Sequence, residues 1–240
     1  MSHQSVFIGR NVSSETKSWL VNENLSFEEH SFIQIVLKEP DFSIVSFIRK
    51  KPEQFVVSSQ WAAKWLVKYH SRIEFSNLDS VLCLSEKQKQ ICNKISDNIF
   101  VAEQQNAQSL ARLVGKTNRG EKVIYLHGNL ALNVFDKTLE SFKIECEKLE
   151  VYINLPELKK LENTFDVYLF FSPGGVQNFV NSGNVIPDTS AIVAIGATTA
   201  ETGNKFFNRE IHISKIQEEL AAVKFAAGLL QHNEISNYTN

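Results

Sequence analysis

One pattern recurs in this chain and narrows its fold more than any other. An apolar run stops at a small hydroxyl or a glycine, and the chain then turns helical. It is written in Leu169-Phe-Phe-Ser-Pro-Gly-Gly-Val-Gln-Asn-Phe179 and again in Ala191-Ile-Val-Ala-Ile-Gly-Ala-Thr-Thr-Ala-Glu201. A weaker copy stands far upstream, in Phe55-Val-Val-Ser-Ser-Gln-Trp-Ala-Ala-Lys-Trp-Leu66. Short apolar runs alternating with helical patterns mean parallel strands covered by helices on both faces. The same motif in distant parts of one chain predicts two similar domains, with the functional site in a cleft between them.

The rest of the chain fits that scheme. Val6–Ile8 reads as a strand ending at Gly9 and Arg10, with Ser13 or Ser14 capping a helix that turns Trp19 and Leu20 inward. Phe32–Leu37 is a β-branched run closed by Pro40. Phe55–Val57 is a strand before a helix capped by Ser58 or Ser59, with Trp61, Trp65 and Leu66 at helical spacing. Further strands are expected at Val81–Leu84, Ile99–Val101 and Val123–Leu126, the last ending at His127-Gly128-Asn129. Helices are expected over Ser85–Ile95, Ala107–Val114 and Leu130–Phe142, and an extended run over Cys146–Leu155. Asp166–Phe171 and Ala191–Ile195 are strands, with Pro173 at the first position of one following helix and Gly196 at the turn before the other, over Thr198–Phe206. A short strand at Glu210–Ile213 and an amphipathic helix over Lys215–Leu230 precede a polar tail, His232–Asn240, expected to fray.

The pieces dictate an arrangement. The first strand–helix unit is too small to be a domain, and the last segment lacks a strand or two. The simplest repair lets residues 1–38 and 157–240 share one doubly wound parallel sheet, with residues 41–150 inserted as a second, similar one. Residues 33–40 and 148–156 then run side by side as a two-strand hinge. At 240 residues each domain has enough chain for its own core.

Composition removes several classes of function. A net charge of −2 leaves no basic excess for nucleic acid, and Arg49-Lys50-Lys51 is short enough to be a solvated loop. Cys83, Cys92 and Cys146 have no zinc or dithiol spacing, and the six histidines are equally scattered, so no metal is expected. Three free thiols fit a reducing cytoplasm. Met1–Arg10 shows no secretory leader and no apolar run is long enough to span a membrane. No heptad seam asks for a partner copy, so a monomer is expected.

In doubly wound sheets ligands sit at the carboxyl ends of the strands, where helices begin with unpaired N–H groups and partial positive charge. Ser59, Ser172, Thr198 and Thr199 fall at such turns, and Gly128 and Gly196 allow close backbone approach. Several such turns facing one cleft would hold a ligand with several carboxylates or phosphates. Each residue also has a plain structural role: a hydroxyl before a helix is first of all a cap. Arg10 could pair with a ligand carboxylate or solvate its turn, and Tyr152 could offer its phenol or pack against the hinge. His127 could carry a proton, though a backbone-bonded turn histidine is the simpler reading. No dinucleotide, P-loop or nucleophile-elbow signature is present.

Taken in order, these residues resemble the uroporphyrinogen-III synthase family. Val6–Arg10 is similar to the family's opening strand and arginine. Val57-Ser-Ser-Gln-Trp-Ala-Ala63 resembles its first F-T-S-x-x-A-V, and Val123–Asn129 its strand ending in a G-N turn. Val151-Tyr152 is like the V-Y entering the return linker. Phe170-Phe-Ser-Pro-Gly-Gly-Val176 resembles F-x-S-P-x-x-V, and Ala194-Ile-Gly-Ala-Thr-Thr-Ala200 resembles I-G-x-T-T-A. The resemblance implies closure of the linear tetrapyrrole hydroxymethylbilane to uroporphyrinogen III, with ring D inverted, water lost and no cofactor. It implies that Tyr152 assists the leaving hydroxyl. Arg10, Ser59, Gly128, Asn129, Ser172, Pro173, Gly174, Gly196, Thr198 and Thr199 would bind substrate. One place departs from the family: Leu84-Ser85-Glu86-Lys87-Gln88 stands where a G-x-x-T-A turn is common. Glu86 there would repel an anionic ligand unless Lys87 or Lys89 offsets it, and Ser85 is left as a plain cap. That turn favours the alternative of a non-catalytic protein that closes on a polycarboxylate. A phospho-acceptor regulator is disfavoured, because arginine and no acidic pocket follows the first strand.

Overall fold

The computed structural model describes residues 4–41, 53–118, 120, 122–131 and 134–236. The basic run Arg49-Lys50-Lys51 and the last four residues lie outside the described residues. The chain forms two compact units, Met1–Gln34 with Leu155–Asn240, and Ile35–Asn154.

Unit 1 begins with β1 (Ser5–Ile8), α1 (Ser14–Asn22) and β2 (Ser26–Glu29). It resumes with β9 (Val167–Phe170), α6 (Pro173–Asn181), β10 (Ala191–Ala194), α7 (Ala197–Gly203), β11 (His212–Ile213) and α8 (Glu219–Ser236). Its sheet runs β2-β1-β9-β10-β11, every neighbouring pair parallel. Period-two alternation splits the core into two faces. Val6, Ile8, Val167, Leu169 and Val193 pack with Leu20, Ala222, Val223 and Ala226 from α1 and α8. Phe7, Tyr168, Phe170 and Ile192 pack on the other face with Val176 and Phe179 from α6. Phe7 sits 5.6–6.5 Å from the rings of Phe32, Phe165, Tyr168, Phe170 and Phe179. Each fully buried ring of this kind contributes about 2–3 kcal/mol by leaving water.

Unit 2 contains β3 (Ile33–Leu37), whose first residues belong to unit 1, then β4 (Glu53–Val57), α2 (Gln60–Tyr69), β5 (Ser80–Cys83) and α3 (Glu86–Cys92). It continues with β6 (Ile99–Val101), α4 (Ala107–Thr117), β7 (Lys122–Gly128), α5 (Val134–Ser141) and β8 (Cys146–Pro156). The sheet order is β3-β8-β7-β4-β5-β6, so the two connecting strands β3 and β8 are neighbours. Phe55, Val57, Val81, Cys83, Ile124 and Leu126 face Trp65 and Leu66 of α2. Val56, Leu82, Val123 and Tyr125 face Leu110 and Val114 of α4 and Phe135 of α5.

Several expectations need correction. β2 has no counterpart in the sequence reading. Its residues Ser-Phe-Glu-Glu carry no β-branched side chain, and only Phe27 packs against the core. Phe32 precedes its strand and fills the aromatic core instead. β7 runs on through His127 and Gly128, with a register shift there against β8. α8 starts at Glu219, after a bend rather than at Lys215, and continues to Ser236, into the stretch expected to fray.

Candidate active site

Each sheet reverses its strand order at one place, and ligand sites of doubly wound sheets sit at that reversal. In unit 1 the reversal lies between β1 and β9, whose ends lead into Gly9-Arg10 and Phe171-Ser172. In unit 2 it lies between β4 and β7, whose ends lead into Ser58-Ser59 and Asn129. Five of the sequence-predicted residues, Arg10, Ser59, Gly128, Asn129 and Ser172, therefore stand beside a reversal. Gly196, Thr198 and Thr199 follow β10, one strand further on.

In unit 1 the β1 and β9 ends approach closely. The Gly9 N–H donates to the Leu169 carbonyl at 2.8 Å, and a Cβ on Gly9 would meet that oxygen at 3.0 Å. Ser172 caps α6 by accepting the Gly175 N–H at 3.0 Å, with Pro173 at the first helical position. A Cβ on Gly174 would press on Ile33 at 3.0 Å. Gly196 begins α7 with no side-chain cap, Thr199 is buried and Thr198 is exposed. A Cβ on Gly196 would touch the Gln217 amide at 3.1 Å.

Arg10 is engaged by its own unit. Its guanidinium lies 5.1 Å above the Phe171 ring, and its Nε is 3.5 Å from the Glu219 carboxylate. Burial works to raise the Glu219 pKa, yet hydrogen bonds from the Ser13 N–H, the Ser13 and Thr16 hydroxyls and the nearby Arg10 charge hold it below the usual carboxylate value. The N–H groups of the turn after β1 are taken by protein carboxylates: Val12 donates to Glu29 at 2.9 Å and Ser13 to Glu219 at 2.7 Å. Neither acid was among the sequence candidates. They lie 17 and 206 residues away along the chain, and no local spacing signals such a cap.

In unit 2 Ser59 caps α2, accepting the Ala62 N–H at 3.1 Å. Gly128 has a role the sequence did not show. A Cβ at that position would overlap the Tyr152 ring, so the missing side chain is the seat of the phenol. Asn129 ties strand β8 down: its Oδ1 accepts the Asn154 N–H at 2.9 Å, and its own N–H donates to the Tyr152 carbonyl at 3.3 Å. His127 Nδ1 donates to the Gly128 carbonyl at 2.9 Å, since a carbonyl can only accept. Beside it, Ser58 and the buried Tyr125 share a hydrogen bond of 2.9 Å between hydroxyls. Burial raises the Tyr125 pKa, with the Ser58 bond opposing and the nearby Tyr152 adding to the rise.

The divergent turn is a correction as well as a departure. Ser85 does not cap α3 with its side chain; its hydroxyl donates to the Gln88 Oε1 at 2.5 Å. Glu86 pairs loosely with Lys89 at 3.8 Å. Among the described residues, no group of three histidines, cysteines or acids could hold a metal, and no helix is long and apolar enough to cross a membrane. Cavities of about 540 and 620 Å³, beside Phe142 and beside Phe206, include none of the predicted residues.

Residues 29–223 match the family model of uroporphyrinogen-III synthase HemD. The chain belongs to the uroporphyrinogen-III synthase family. The function that goes with this family is uroporphyrinogen-III synthesis, a cyclase and lyase step of porphyrin and heme biosynthesis. No curated protein matches the sequence. Among solved structures the chain is similar to uroporphyrinogen-III synthetase from Helicobacter pylori, at 14% identity and a TM-score of 0.68, covering 95% of this chain and 99% of that one. It is also similar to a mutant uroporphyrinogen III synthase from Thermus thermophilus, at 12% identity and a TM-score of 0.63, covering 96% and 99%. At such identities the likeness establishes the shared two-domain α/β fold, and the family match carries the function.

Proposed function

We propose that the chain converts hydroxymethylbilane to uroporphyrinogen III by a hydro-lyase reaction that needs no metal or organic cofactor, as a cytoplasmic monomer. The match of residues 29–223 to the family is the observation that carries this reading. The substrate's acetate and propionate groups are taken by the helix starts at Ser59, Ser172, Pro173-Gly174 and Gly196–Thr199, by Asn129 and by Arg10. Loss of the terminal hydroxyl leaves an azafulvene cation. The substituted carbon of ring D attacks it, and the spiro intermediate fragments and recloses with that ring inverted.

Tyr152 donates the proton that lets hydroxide leave as water. Support for that role comes from its place within strand β8, half-buried against Gly128. Because the linear substrate also closes unaided without inversion, the protein's main task is to hold the chain so that the unwanted carbon is out of reach. Tyr152→Phe keeps the ring on its seat and removes only the proton. Formation of isomer III should slow at least about tenfold, or about 1.4 kcal/mol in the barrier, with the melting temperature unchanged. An unchanged rate would remove Tyr152 from the chemistry. Exhaustive treatment with a chelator should leave the rate where it was, and a loss restored by added metal would overturn the cofactor-free reading. Light scattering should give the monomer mass of 27.2 kDa.

A further inference from the structure

Arg10 stands at the reversal between β1 and β9, yet a half-exposed arginine on a strand end is a flexible group with much rotamer freedom to lose. Two contacts hold it. Phe171, on the neighbouring strand end, lies under the guanidinium plane at 5.1 Å, and Glu219 meets its Nε at 3.5 Å. Among the described residues only Nε is engaged, through Glu219 and a long 3.4 Å contact to the Asn11 carbonyl. That leaves the two terminal nitrogens as the edge that matches a planar carboxylate.

Glu219 is itself fixed. Its Oε1 accepts the Ser13 N–H at 2.7 Å and the buried Thr16 hydroxyl at 2.9 Å. Its Oε2 is the oxygen turned to Arg10. One carboxylate thus closes the start of α1 with one oxygen and aims the arginine with the other. A merely structural cap would need only the first of these.

We propose that Glu219 is a positioning residue that holds Arg10 ready for one carboxylate of the linear tetrapyrrole; this rests on the functional reading above. The two oxygens allow the roles to be separated. Glu219→Gln keeps an acceptor oxygen for Ser13 and Thr16 but replaces the charge facing Arg10. Glu219→Ala removes both.

The experiment measures melting temperature, kcat and KM for isomer III formation in Glu219→Gln, Glu219→Ala, Arg10→Ala and the Arg10→Ala/Glu219→Ala pair. Glu219→Ala should melt lower than the unaltered chain, and Glu219→Gln should recover most of that loss. Both should raise KM about three- to fivefold, as suits a half-exposed charge contact, with a smaller change in kcat. In the Arg10→Ala background, removing Glu219 should raise KM no further, because it acts through Arg10. A KM in Glu219→Gln equal to that of the unaltered chain, or independent effects in the double variant, would overturn the proposal while leaving the synthase reading intact. Absence of isomer III from the unaltered chain would overturn both, and that failure shows in the parent protein alone.

Discussion

The Tyr152 ring rests where Gly128 has no side chain, and this is the tightest constraint on any candidate residue. Gly128→Ala must displace the ring or the strand. We expect a loss of about 1–3 kcal/mol in stability, the usual cost of overpacking, and a fall in isomer III rate beyond what a melting curve accounts for. Urea unfolding together with the isomer assay would check both; a stable, fully active Gly128→Ala would show that the ring position does not matter. Ser172 poses a different question, because one hydroxyl serves both the α6 cap and the proposed carboxylate site. Aspartate caps a helix as well as serine does. Ser172→Asp should therefore keep the melting temperature while raising KM, through repulsion of an anionic substrate. An unchanged KM would reduce Ser172 to its cap. Residue identities at these turns were legible because serine, proline and glycine have local reasons to be there. The partners of Arg10 were not, since Glu219 meets it only through the fold.

At the scale of elements, buried strands announced themselves and edges did not. Phe55–Val57, Val81–Cys83 and Val167–Phe170 are continuous apolar runs because helices cover both faces of their sheets. β2 sits at an edge and reads as polar coil. The start of β4 depends on a residue that no motif flagged. Asp79, fully buried, accepts the Glu53 N–H at 2.9 Å and the Ser76 N–H at 2.7 Å. Asp79→Ala would strand the buried Glu53 N–H away from water and unpair the half-buried Ser76 N–H. It should cost about 2–3 kcal/mol, measurable by chemical denaturation, and a change under half that size would contradict the assignment. At the β5–α3 turn, the sequence showed that something had changed, but the Ser85–Gln88 bond that replaces the cap is visible only in three dimensions.

For the whole molecule, the two-domain parallel fold and the family were legible because they rest on the order of many short motifs spread over most of the chain. Long-range electrostatics was not legible in that way. Glu219 has a folded pKa below its ordinary value, so its stabilising contribution is present above about pH 4.3 and is lost as pH falls through the folded value. The gap in melting temperature between the unaltered chain and Glu219→Gln should therefore hold steady above about pH 4.3 and shrink as the pH falls below it. A gap that widens toward acid would reverse the sign. The most direct test of the central claim is an assay of the unaltered chain on freshly prepared hydroxymethylbilane, with products oxidised and porphyrin isomers I and III separated by chromatography. Isomer III should form, well ahead of spontaneous closure. Isomer I alone, at the spontaneous rate and from demonstrably folded protein, would contradict the claim.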